Sequence, residues 1–109
     1  MIALSRKIFF CCSLCNNKKY TGLNLVLEVF FQGNVDKTSN LVINFFNVDT
    51  FLKDSVTNWD HKEFVDISFS DLANVVAVNI KENWPFSKAK LTKVSLCVKE
   101  PFQEAVNFF

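Results

Sequence analysis

The sequence predicts a single α+β domain over 1–109, a four-stranded antiparallel sheet with two sequential helices packed on one face. Three observations predict it. Apolar residues alternate with period two toward both ends of the chain. In a central block they recur instead at helical spacing. The two helical stretches lie together between groups of strands rather than alternating with single strands, which separates α+β from a parallel α/β fold.

The elements follow in order. Residues 2–12, rich in Ile and Phe, read as a strand. Arg6 and Lys7 ahead of Ile8 to Cys15 faintly resemble a secretory leader, but the apolar run is short and no small-x-small site follows, so a buried first strand is expected. Asn16 to Lys19 is polar and reads as a turn or loop. From Asn24 to Gln32, Leu25, Leu27, Val29 and Phe31 face one way, and Asn24, Val26, Glu28, Phe30 and Gln32 the other. Gly33-Asn34 and Lys37 to Asn40 then make a turn into Leu41, Ile43 and Phe45, expected as the hairpin partner of 24–32.

The period then changes. Val48, Phe51, Leu52, Ser55, Val56 and Trp59 fall on one helix face, with Asn47 as the expected N-cap and Asp49 in the first turn. A second helix is expected from near Ser68 or Ser70, with Leu72, Val75, Val76 and Ile80 as its stripe and Pro85 as its stop. Val94, Leu96 and Val98 alternate in a further strand, and the apolar 104–109 segment closes the chain as another. The sheet face away from the helices is assigned Val26, Phe30 and Phe46; left exposed, such a face favours oligomers.

Composition narrows the functional classes. Half of the 109 residues are apolar and 13 are Phe, so the chain can offset its conformational entropy. A net charge of +1, with no basic stripe, leaves no electrostatic footprint for nucleic acid. No apolar run reaches membrane-span length. Cysteines stand at 11, 12, 15 and 97, and Cys12 and Cys15 form a C-x-x-C. A structural zinc site needs a second ligand pair, for which only Cys97 and His61 remain. A redox motif should open a helix, whereas Asn-Asn-Lys-Lys follows. The expected reading is small, partly buried thiols in a reducing cytosol, with metal or redox chemistry as the competitor.

Four stretches carry a resemblance. Asn40 to Phe45, before a helix, looks like Gly-Met-Val-x-Asp-Phe; Trp59 to Phe64 looks like Leu-Asp-His-x-x-Leu. Val98 to Pro101 looks like a closing strand ending in Glu-Thr, and 67–73 stands where Pro-Thr-x-Glu-Asn-x-Ala would. With their order and spacing, these resemble the 6-pyruvoyltetrahydropterin synthase and 6-carboxytetrahydropterin synthase family, whose tunnelling fold the chain is then expected to share. The resemblance implies subunits assembled as trimers or hexamers, zinc polarising the substrate's side-chain hydroxyls, a Cys base, an Asp-His pair assisting proton transfer, and a Glu clamping the pterin ring.

Position by position, the resemblance puts the first zinc ligand at Cys12 and the His-Gly-His motif on Thr21-Gly22-Leu23, so only the glycine survives. The catalytic Cys falls near Asn17, with Cys15 close by, and Ser70 and Asp71 replace a Glu-Asn. Asp60 and His61 stand where the proton-transfer pair stands, and Glu100 where the ring-binding carboxylate stands. A carboxylate can accept two parallel N–H bonds from a 2-amino-4-oxo ring edge without any metal. Each also has a plainer reading: His61 as a surface or capping group, Glu100 as a solvated edge residue, Trp59 and Trp84 as core.

The expectation is a cytoplasmic protein with no zinc or other cofactor. It binds a pterin- or purine-like ring or acts as an assembly subunit, as a homo-oligomer with no nucleic-acid or membrane partner. One alternative is an active lyase on dihydroneopterin triphosphate, in a tetrahydropterin or queuosine pathway, with metal held through Cys12, Cys15 or His61. The other is an oligomeric interaction protein without a ligand pocket.

Overall fold

The computed structural model describes residues 1–99 and, for the backbone, 105–108. Two 15-residue strands, β1 (Ile2–Asn16) and β2 (Lys19–Gly33), pair along their whole length, from Ile2 opposite Gly33 to Asn16 opposite Lys19. Asn17 and Lys18 close the hairpin with both residues at left-handed φ, the turn that matches the twist of antiparallel strands. The tight turn therefore joins the first two strands, not the second and a third.

After β2 come α1 (Phe45–Val56), β3 (Lys62–Val65), α2 (Phe69–Asn83), β4 (Lys90–Val98) and β5 (Ala105–Phe108). The sheet order is β3-β1-β2-β4-β5. Strands β1, β2, β4 and β5 form the expected antiparallel four-stranded body. The short β3, not anticipated, lies parallel to β1, with Cys12 opposite Lys62 and Cys15 opposite Val65.

The alternation in β2 sorts its two faces as expected. Leu25, Leu27, Val29 and Phe31 are fully buried with Phe10, Val94 and Leu96 against the helices. From α1 the sheet receives Val48, Leu52 and Val56, and from α2 Leu72, Ala73, Val76, Ala77 and Ile80. Val75, assigned to the α2 stripe, is exposed instead. On the far face the ammonium of Lys93 lies 4.1 Å from the Phe30 ring centre and that of Lys99 4.6 Å from Phe9. Long lysine stems cover part of this apolar surface while keeping their charge in water. Phe46 does not belong to that face; it is an exposed residue of α1.

The expected strand at Leu41, Ile43 and Phe45 does not form. The free edge of β2 is taken by β4, and Val42 packs against Gly33, where an added Cβ would stand 2.7 Å from Val42 Cγ1. Asn44, not Asn47, caps α1: its side chain accepts the Phe46 N–H at 2.9 Å. Asp49 thus falls beyond the first turn and accepts from Arg6 Nε at 2.8 Å, tying α1 to β1. Ser68 caps α2 through a capping box with Asp71, and Trp84 ends it just before Pro85.

Candidate functional site

Hairpin register decides which side chains meet. Cys12 lies directly opposite Leu23, and Leu14 opposite Thr21. Opposed residues share a face, and positions two apart along a strand share it too. Positions 12, 21 and 23 are therefore neighbours on the helix-covered face, as a three-ligand site would require.

Their chemistry does not fit zinc. Catalytic zinc takes three protein donors plus one open position. Leu23 offers no donor, and Thr21 is an exposed neutral hydroxyl. Cys12 is buried among Phe10, Leu14 and Trp59, and burial, followed by the neighbouring Cys11 and Asp60, pushes its thiol up to about 11. Ligation would have to displace the proton of a thiol that burial holds in its neutral form, so Cys12 is a poorer donor than an exposed thiol. Among the described residues no group of three His, Cys, Asp or Glu side chains converges to hold a metal ion.

The C-x-x-C has no joint chemistry either. It lies inside β1, where residues three apart point to opposite faces. Cys12 and Cys15 are both buried, Cys97 is half-buried and Cys11 exposed, all as free thiols. Cys15 pairs with Tyr20 across the hairpin, and Asn17 sits in the two-residue turn.

The Asp60–His61 pair is built. It lies between α1 and β3, with His61 at φ 59. The His61 N–H donates to the Cys11 carbonyl at 2.6 Å, and the Cys11 N–H donates to Asp60 Oδ1 at 3.0 Å. His61 Nδ1 stands 3.0 Å from the same oxygen. The Cys11 amide, then the imidazole, hold the Asp60 carboxyl below the usual carboxylate range. That short contact sets the imidazole beside the Asp60 carboxylate, the geometry of an acid–histidine pair. The ring is 80% exposed, at the rim of a shallow depression of about 310 Å³ lined by Cys11, Cys12, Ser13, His61, Lys62 and Glu63.

Residues assigned by sequence alone divide sharply. Asp60 and His61 stand beside the 12–21–23 face through Cys11, whose backbone role carries no side-chain signal in the sequence. Asp71 is engaged in the α2 capping box, and Ser70 is exposed. Trp59 packs 6.3 Å from Phe10, and Trp84 Nε1 donates to the Ala89 carbonyl at 2.8 Å, so both tryptophans are structural. Glu100 lies outside the described residues. A larger cavity, about 440 Å³, opens at the other end of the sheet between 36–44 and 85–88, away from Cys12, Thr21, Leu23, Asp60 and His61. Among the described residues no helix is long and apolar enough to cross a membrane.

No protein-family model matches the sequence, and comparison with curated proteins finds no match. Solved structures do match. The 6-pyruvoyl tetrahydropterin synthase of Caenorhabditis elegans superposes with a TM-score of 0.78 at 17% identity, over 98% of this chain and 94% of that one. The Plasmodium vivax 6-pyruvoyl tetrahydropterin synthase gives 0.68 at 12% identity, covering 99% of each chain. A catalytic-residue mutant of the Plasmodium vivax protein gives 0.66 at the same identity and coverage. Near-complete coverage of both partners, together with the hairpin and the helix-covered sheet, shows that this chain has the 6-pyruvoyl tetrahydropterin synthase fold.

Proposed function

We propose that this chain is a zinc-free protein of that fold that binds a pterin- or purine-like ring as a cytoplasmic homo-oligomer. One observation carries the reading: the register sets Cys12, Thr21 and Leu23 together without a ligand set, while the Asp60–His61 pair beside Cys12 is anchored to the Cys11 backbone. Without a Lewis acid, several kcal/mol of the barrier-lowering available to a metal-dependent lyase are missing. Ring recognition by a carboxylate such as Glu100 needs no metal. Binding is then the activity best supported, and an active lyase the less favoured alternative.

The test is a fluorescence titration of chelator-treated protein with a pterin, repeated with Glu100→Ala and His61→Ala, alongside elemental analysis and a turnover assay on dihydroneopterin triphosphate. Saturable binding weakened by Glu100→Ala, without zinc or turnover, is the expected result. Stoichiometric zinc with turnover would establish the lyase instead. No ring binding in any form would leave only a role as an assembly subunit.

A further inference from the structure

The cavity between 36–44 and 85–88 has no part in the ring-binding reading. At about 440 Å³ it exceeds the depression beside His61 and falls within the size of small-molecule sites. Leu41, Val42 and Ile43 line one side, and Pro85 and Phe86 the other. Each side is fixed by contacts of its own. In the first, the Asp36 N–H donates to the Leu41 carbonyl and the Asn40 N–H to the Asp36 carbonyl, both at 2.8 Å. In the second, the Ala89 N–H donates to the Phe86 carbonyl at 3.3 Å, and the Phe86 ring meets Trp84 edge-on at 4.9 Å. Gly33 packs tightly against Val42 of one side and the Lys88 carbonyl of the other. A ligand therefore finds the walls already in place, which lowers the ordering cost of binding.

The two sides also carry opposite charges. Asp36 Oδ2 and Lys88 Nζ stand 3.8 Å apart, longer than a hydrogen bond. Asp36 Oδ1 accepts the Thr38 and Ser39 N–H groups at 2.8 and 3.1 Å. A ligand with a single charge meets a like charge here: an anion faces Asp36 and a cation faces Lys88. A zwitterion can satisfy both with charge-assisted hydrogen bonds. In an α-amino acid the ammonium and carboxylate share one carbon, and the side chain leaves that carbon in a third direction, toward the apolar walls. Burying an apolar side chain there favours binding, whereas a polar one would lose its water without a partner.

We propose that this cavity is a second ligand site, which takes a free α-amino acid with an apolar side chain. Asp36 receives the ammonium, Lys88 the carboxylate, and the walls at 41–43 and 85–86 the side chain. The site lies at the other end of the sheet from Asp60–His61 and stands independently of ring binding.

The experiment is a calorimetric titration of the full chain with L-leucine, glycine, N-acetyl-L-leucine and L-leucinamide. Saturable binding of L-leucine is expected, with a Kd of about 1 mM or tighter. Glycine, lacking the side chain, should bind at least about tenfold more weakly. The two analogues each lack one charge and should bind at least about fivefold more weakly. Lys88→Gln and Asp36→Asn should each weaken L-leucine binding by a similar factor. Lys88 is 79% exposed, and Asn at 36 keeps an acceptor for the Thr38 and Ser39 amides, so both variants should match the parent in urea unfolding. No saturable binding of L-leucine overturns the proposal. Glycine or either analogue binding as tightly as L-leucine overturns the ligand class. Binding unchanged in either variant overturns the assignment to this cavity.

Discussion

Gly33→Ala should destabilise the fold, and Gly22→Ala should not, although both glycines lie in the same strand. At Gly33 an added Cβ meets the Lys88 carbonyl oxygen at 2.6 Å and Val42 Cγ1 at 2.7 Å. The first is backbone at the entry to β4, and the second is a buried side chain, so neither yields cheaply. Overpacking of this kind costs about 1–3 kcal/mol. The entropy removed from the unfolded chain returns about 0.4–1 kcal/mol. The midpoints leave a net loss of about 1.3 kcal/mol, within a span of about 0–2.6, and each kcal/mol lowers Tm by roughly 4–8 °C in a domain near this size. At Gly22 nothing lies within 4 Å, and neither glycine has a positive φ, so only the entropic gain remains. Urea unfolding of the three proteins measures the difference. A Gly33→Ala protein as stable as Gly22→Ala would refute the packing described at the β2–α1 junction. Gly22, which the sequence resemblance sets at the centre of a His-Gly-His motif, is thus not required by this backbone.

Three further outcomes are expected. Ser68→Ala removes the α2 capping box and should cost about 1 kcal/mol in urea unfolding. Hydrogen bonds hold the carboxyls of Asp36, Asp49 and Asp60 below the usual range. Their contribution is therefore present above the unfolded value, about pH 4, and is lost as the pH falls through the lower folded values, so Asp60→Asn should show a shallower loss of stability on acidification below about pH 4. Burial pushes the Cys12 thiol up to about 11 whereas Cys11 is exposed, so iodoacetamide at pH 8 should label Cys11 much faster than Cys12, read by peptide mass spectrometry. Equal labelling would contradict the burial of Cys12.

What the sequence revealed, and what it hid, follows from the range of the interactions involved. Leu25 to Phe31 alternate because both faces of β2 are set locally, and Ser68 and Pro85 bracket α2 with side-chain chemistry of their own. The 41–45 segment carries the same alternation, yet whether it pairs depends on β4, which lies nearly fifty residues away and takes the edge of β2. Moving the α1 cap from Asn47 to Asn44 is one turn of error, possible because both asparagines are competent caps. Strand β3 is four residues long, largely exposed and paired parallel, so neither periodicity nor a turn marks it. At the candidate site, Asp60 and His61 are visible as a motif, but their attachment to the Cys11 backbone is a tertiary fact. That Cys12 faces Leu23 follows only once the hairpin is known to turn at Asn17–Lys18.

Ring binding in the absence of metal is the claim on which this account stands, and a single titration tests it most directly. Chelator-treated protein is titrated with 6-methylpterin, first alone and then with equimolar zinc. Metal-free ring binding predicts one saturable site per chain with the same affinity in both conditions. Binding that appears only when zinc is present would contradict it.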